Sequence, residues 1–340
     1  MPQSEKITAP VLASYILAAL ALFTVLKAGL LVALFSGLLV YSLIHLLAPL
    51  IERKFNSYQA RVLAVVFLSI VIISAITVGI WSAFVFLRSD AGNLHSLLQK
   101  LADIIEASRN QMPEWVHANL PDNLGDVDDL RELMTNWLRE HAGEAKLLGQ
   151  EAGHIVVHLL LGMIIGSMVA LQDATAPVNY RPFALALHQR VERLARIFQK
   201  IVFAQVQISL INTVFTAIYL LAILPMAGVH LPLTKSMIAI TFLAGLIPVA
   251  GNLISNSVIV TVGLSHSLNI ALASLVFMIV IHKLEYFLNA KIIGAHINAR
   301  AWELLTAILV MESLFGIPGV VAAPVFYAYI KNELSDRGLV

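Results

Sequence analysis

The chain has 340 residues, 59% hydrophobic and 13% charged, with mean hydropathy +0.84 and a formal net charge of +1. A soluble globular domain carries roughly twice that charged fraction, so the composition excludes a soluble enzyme and indicates an all-α polytopic membrane protein. Cysteine is absent, which excludes disulfides and Cys-based redox or zinc sites.

Runs free of Lys, Arg, Asp and Glu cover 7–26, 28–51, 62–87, 152–172, 201–234 and 236–282, followed by 304–330 with Glu312 as the one interruption. Each reaches the ~20 residues a helix needs to cross a bilayer, and 236–282 is too long for one crossing. Seven or eight membrane helical elements are expected. The first run follows a single Lys and lacks a small-residue cleavage signal, so it reads as a retained helix. Residues 1–87 then hold membrane helices one to three, with the first two joined through Lys27-Ala28-Gly29 as a tight antiparallel hairpin.

Composition changes over 88–150, which hold 11 of the 21 acidic residues against 6 basic ones. Leucines at helical spacing in LHSLLQKLADIIEA and LRELMTNWLREH predict a small water-facing helical domain rather than a disordered loop. Membrane helix four falls within 151–175. Over 176–200, Phe183, Leu187, Val191, Leu194 and Phe198 form an apolar stripe, while Arg190, Arg193, Arg196 and Lys200 take other faces. This is a basic amphipathic helix, lying along an anionic leaflet or packed on the bundle.

The remainder, 201–333, forms a C-terminal membrane core with two broken segments. FLAGLIPVAGNLISNS, 242–257, breaks at Pro248 and Gly251, and LFGIPG, 314–319, at Gly316, Pro318 and Gly319. Pro removes a backbone donor, and in hydrocarbon the freed groups must find partners in protein or a wet cavity. Paired Gly/Pro-interrupted segments are what secondary transporters place around a midplane site. Arg53, Lys54 and Arg61 put the 52–61 turn in the cytoplasm. That leaves both termini inside and 88–150 extracytoplasmic. With 283–302 also inside, both broken segments become re-entrant hairpins; the alternative is eight straight spans.

No GxxxxGK[ST], GxSxG or HExxH pattern occurs, so neither an ATP-driven pump nor a hydrolase is expected, and no enzyme activity, cofactor or nucleic-acid partner is assigned. His154 and His158 lie one helical turn apart but lack a third ligand, so no metal is assigned. Asn252 and Asn256 share one face beyond the first break, with Ser255 beside them, and Gln205, Gln207 and Asn212 offer similar chemistry on helix five. Such residues either line a cavity or join helices. Glu285, with Lys283 and Asn289 near it, and Glu312, flanked by apolar residues, are the acids at membrane depth that suggest function; Glu303 and Lys235 read as headgroup-level residues.

QVQISLIN, GLIPVAGN, LEYFLNAKIIG and LFGIPGVVAAPV, in that order behind an extracytoplasmic domain and a basic helix, resemble the AI-2E transporter family, also described as PerM-like permeases. The resemblance covers essentially the whole chain. It implies a multi-pass bacterial inner-membrane secondary transporter and a homo-oligomer such as a pentamer, with export of the autoinducer-2 signal proposed for some members and sodium(lithium)/proton antiport for others. By position, Pro248 and Gly251 match the family's first break, Glu285 its acidic residue on helix seven, Gly294 its following glycine, and Gly316 and Gly319 its last break. The chain departs from the family pattern at Val249, Asn252, Ala290, Ala299-Arg300 and Met311-Glu312. Three functions follow: export of a small polar solute, cation/proton antiport, or a non-transporting membrane scaffold.

Overall fold

The computed structural model describes residues 8–88, 136, 142–172, 180–231, 233–246, 250–264, 267–297 and 300–339. Most of the expected outer domain, and Pro248, lie outside these residues. Among the described residues the regular elements are helices: α1 (Ala9–Lys27), α2 (Leu31–Ile51), α3 (Ser57–Arg88), α4 (Ala142–Gln172), α5 (Pro182–Ile218), α6 (Thr234–Gly245), α7 (Ala250–Leu264), α8 (Leu268–Ile297), α9 (Ala301–Phe315) and α10 (Ile317–Ser335). Five stretches of the described residues are long and apolar enough to cross a membrane: Ala9–Lys27, Leu31–Ile51, Ser57–Val78, Gly153–Gln172 and Pro182–Met226.

α5 is the spine. It starts with Pro182 in the first turn, where the missing N–H is no loss, and it runs unbroken through residue 200. The basic stretch is therefore not a separate surface helix; it is the first half of the helix that enters the membrane core. Near its end, Tyr219–Ile223 form a π turn. Pro225 follows after Leu224, and a Pro ring pushes away the carbonyl four residues back, which loosens the helical ladder there.

Three apolar clusters hold the bundle, two of them built on this spine. Leu194, Phe198, Ile201 and Ile208 of α5 join Leu26, Leu38, Phe326 and Tyr329 from α1, α2 and α10. Tyr219 and Leu224 join Met237 and Ile259 from α6 and α7. A third cluster, Val40, Ile44, Ala64, Leu68 and Ala170, ties α2, α3 and α4 together.

α2 and α4 approach most closely, through small residues. A Cβ on Gly162 would lie 2.0 Å from the Ala33 carbonyl oxygen, and one on Gly166 would lie 2.2 Å from that of Gly37. Contacts that advance in step along both chains mean the helices run parallel. Ala33-xxx-Gly37 meets Gly162-xxx-Gly166, the small-xxx-small spacing that lets membrane helices touch along their backbones. Ser36 Oγ adds a bond to the Leu159 carbonyl at 3.0 Å.

α1 and α2 behave differently from the expected tight hairpin. Their turn is tight, with Gly29 at φ +68°, but beyond it the helices splay, and α1 packs on α5 instead. The reason lies at the far end of α1, where Tyr15 receives Arg190 Nη1 of α5 at 2.9 Å and donates to Glu333 of α10 at 3.2 Å.

Each broken segment folds back on itself. α6 packs on α7, and α9 packs on α10. At ~1.5 Å rise per residue, the 12 residues of α6, 15 of α7 and 15 of α9 give helices of about 18, 22 and 22 Å. These are shorter than the ~30 Å hydrocarbon core, as re-entrant halves require.

Candidate functional site

The first break is held by α5. A helix ends with carbonyls that lack intrahelical donors, and in α6 two of these turn toward α5 side chains. Gln205 Nε2 donates to the Gly245 carbonyl at 2.7 Å and Ser209 Oγ to that of Phe242 at 2.6 Å. On the other side of the break, a Cβ on Gly251 would lie 1.8 Å from the Ala244 carbonyl oxygen. Glycine there lets α7 start directly against the end of α6.

Gln205 and Ser209 belong to a longer stripe. Gln205, Ser209, Asn212, Thr216 and Tyr219 are spaced four, three, four and three residues apart along α5, and all are buried. Such spacing keeps them on one helix face. Thr241 of α6 and Ser274 of α8 are buried in helices packed on α5, and Ser255 is buried on α7, which packs on both of those helices. Tyr219 OH bonds Ser274 Oγ at 3.0 Å, and its ring stacks on Phe277 with centroids 4.0 Å apart. One group is left over: Asn212, 2% exposed, has a buried Oδ1 with no hydrogen-bond partner among the described residues. An uncharged polar seam thus runs inside an otherwise apolar bundle, with an open acceptor at its middle.

The second break uses the same device. Gly316 has φ +63° and ψ −144°, a conformation closed to other L-residues. A Cβ on Gly319 would lie 1.9 Å from the Met311 carbonyl oxygen. At the open end of this hairpin, Glu303 accepts from Tyr327 OH at 2.6 Å and pairs with Lys331, which joins the start of α9 to α10. Glu303, expected at headgroup level, is therefore a clasp between helices.

The residues singled out in the sequence divide among these places. Gly251 and Gly319 are buried at the two folds, and Gly316 makes the second turn. Asn256 is half-buried beside Ser255. Asn252, Glu285 and Asn289 lie on α7 and α8, with their side chains outside the described residues, as is Pro248. Gln207 is exposed and does not join the seam; Gln205 takes the place given to it. Glu312 is exposed on α9, away from the seam, and makes no hydrogen bond or ion pair with a described residue. No group of three or more metal-binding side chains occurs among the described residues. Ser209, Thr216 and Tyr219 were missed in the sequence, although their spacing with Gln205 was visible there.

A cavity of about 1220 Å³ lies elsewhere, between α2, α4 and the first half of α5. His158 lines it toward the start of α4 and Gln172, Tyr180 and His188 toward the other end, and none of its lining residues belongs to either break.

Comparison with known proteins adds the following. The family model described as AI-2E family transporter matches residues 12–336. A Bacillus subtilis (strain 168) protein titled "Putative transport protein YdbI" is 32% identical over 137 residues, which cover 39% of this chain and 37% of that relative. The match thus spans well under half of either protein. No solved structure matches the chain.

Proposed function

The chain belongs to the AI-2E transporter family, and on that premise we propose that it is a secondary transporter whose small polar solute passes along the seam between α5 and the first hairpin. The observation that carries this reading is the unpartnered Asn212 Oδ1 among buried polar side chains that already hold the carbonyls of a broken helix. The seam's described side chains carry no formal charge. Its hydroxyl, amide and carbonyl groups therefore suit a neutral, multiply hydroxylated solute better than an ion.

The two hairpins support one site on the spine. α6 descends alongside α5 to Gln205, where it breaks. α10 is paired at its far end with Arg190 and Arg193, and about 24 Å of helix separates Glu333 from the start of α10. The same rise along α5 from Arg190 ends near Gln205. Both tips then meet one level of the spine from opposite sides, as in transporters built on paired broken helices. Sodium(lithium)/proton antiport is the second reading, and it would route the proton through Glu285.

Two measurements test this. In proteoliposomes, neutral polyhydroxylated solutes, including autoinducer-2-type signals, should move saturably and without an obligatory sodium or lithium gradient. Strict sodium- or lithium-for-proton exchange, lost in Glu285→Gln, would replace solute export with the antiport reading. For topology, the chain's lack of cysteine allows clean single introductions. Ser267→Cys should label with an impermeant thiol reagent in intact cells, whereas Arg300→Cys and Ser335→Cys should label only after lysis. External labelling at Arg300→Cys would restore straight spans. The placement assumed is the bacterial inner membrane with both termini in the cytoplasm and the chain as a homo-oligomer.

A further inference from the structure

α8 and α9 each present an outward face with one charge in it. On α8 the exposed Leu272, Val276, Ile279 and Lys283 are spaced four, three and four residues apart, on the side away from the buried Ala271 and Ser274. On α9 the exposed Trp302, Leu305, Leu309 and Glu312 are spaced three, four and three apart. Both faces have the alternating spacing with which packed helices interlock. Lys283 and Glu312 make no hydrogen bond or ion pair with a described residue. Glu285, two residues beyond Lys283, is about 200° further round the helix and does not share its face. Apolar helix surface can face lipid, but an ammonium or a carboxylate set in it is costly unless paired.

The two charges also stand at nearly one level. α8 ends at Ile297 and α9 starts at Ala301, so both helices can be measured from one place in the chain. At the helical rise, Lys283 is about 21 Å back from that end and Glu312 about 17 Å on from that start. The difference is less than one turn of helix. α8 packs on α5 and α7 while α9 packs on α10, and the outward faces of both are left uncovered.

We propose that these two faces form the interface between copies of this chain, with Glu312 of one copy paired to Lys283 of the next. A second copy is the partner because the chain itself carries both complementary charges at matching levels. Copies that share one orientation in the membrane present α8 and α9 antiparallel. Setting Lys283 against Glu312 then brings Leu305 level with Ala290, and Trp302 within a residue of Gly294. Ala290 and Gly294 continue the spacing of the Lys283 face, so large residues of α9 meet small ones of α8, as close membrane-helix packing requires. The two faces differ, so the contact is head-to-tail and repeats around a closed ring. The interface rests on the membrane placement and homo-oligomer of the reading above, and does not depend on the solute.

The absence of cysteine allows a direct test. Copies carrying Lys283→Cys and copies carrying Glu312→Cys, with different tags, are co-expressed and oxidised in the membrane. A disulfide needs Cα atoms within about 7 Å, so unlike copies should cross-link and like copies should not. By native mass spectrometry of the detergent-purified protein, Glu312→Lys should lower the assembled fraction about tenfold, because it opposes like charges across the contact. Adding Lys283→Glu to that variant should restore it, with melting temperatures confirming that each variant is folded. Equal cross-linking of like copies, wild-type assembly of Glu312→Lys, or a folded double variant that stays dissociated overturns the interface. A monomeric wild type would instead remove the homo-oligomer on which it rests, and the proposal with it.

Discussion

Gly251→Val is expected to prevent the first hairpin from closing, so that little protein is recovered as a single species after detergent extraction. The added Cβ would stand 1.8 Å from the Ala244 carbonyl oxygen and 2.4 Å from its carbon. Those are backbone atoms at the end of α6, and they cannot swing aside as a flexible side chain would. Moving α6 would also pull the Gly245 and Phe242 carbonyls off Gln205 and Ser209, so overpacking and two lost hydrogen bonds act together. Overpacking alone costs about 3 kcal/mol in a tight site. Gly319→Val should fail in the same way, with its Cβ 1.9 Å from the Met311 oxygen. Gly153→Val is the control, because nothing lies within 4 Å of a Cβ there. Size-exclusion profiles and melting curves of the three variants decide the matter. If Gly251→Val elutes and melts like Gly153→Val, α6 and α7 do not approach as described.

The two breaks were legible because Pro and Gly act locally. LIPVAG and GIPG each interrupt an apolar run, and hydrocarbon leaves a broken helix few ways to satisfy its backbone. What satisfied it was harder to read. Gln205 and Gln207 look alike in sequence, yet two residues turn a helix by about 200°. Only Gln205 is on the buried face, and Gln207 faces out. The stripe could have been found by testing every polar residue in 201–234 for helical spacing. Read singly, Ser209 and Thr216 are too ordinary in a membrane helix to stand out.

Long-range pairing accounts for the remaining differences. The basic stretch of α5 resembles a lipid-facing amphipathic helix when only its own charges are counted. Its Arg190 is instead buried, because Glu333 lies far along the chain and comes back beside it. Arg193 bonds the same carboxylate at 2.8 Å and Asp336 at 2.6 Å. The short α1–α2 turn likewise suggested a close hairpin. Ala33-xxx-Gly37 and Gly162-xxx-Gly166 draw α2 onto α4, while Tyr15 draws α1 onto α5. Both glycine spacings were present in the sequence, but neither helix alone shows which partner its small face will meet.

Asn212→Leu should separate stability from transport. The Asn212 side chain is 2% exposed, and its unpartnered Oδ1 is destabilising by roughly 1–3 kcal/mol. Leucine keeps the branched four-atom skeleton without an acceptor, so the variant should melt at the wild-type temperature or above it. If the solute supplies the missing donor, however, the same change removes a contact in the path, and flux should fall by tenfold or more. Gln205→Leu gives the contrasting result. It leaves the Gly245 carbonyl without its side-chain donor, so melting temperature and flux should drop together. A group that only glues helices together would lose stability on replacement; a group waiting for a ligand would lose function alone. Melting curves and proteoliposome flux on the same preparations distinguish these cases. If Asn212→Leu transports at the wild-type rate, the seam is helix packing, and the solute path must lie elsewhere in the bundle.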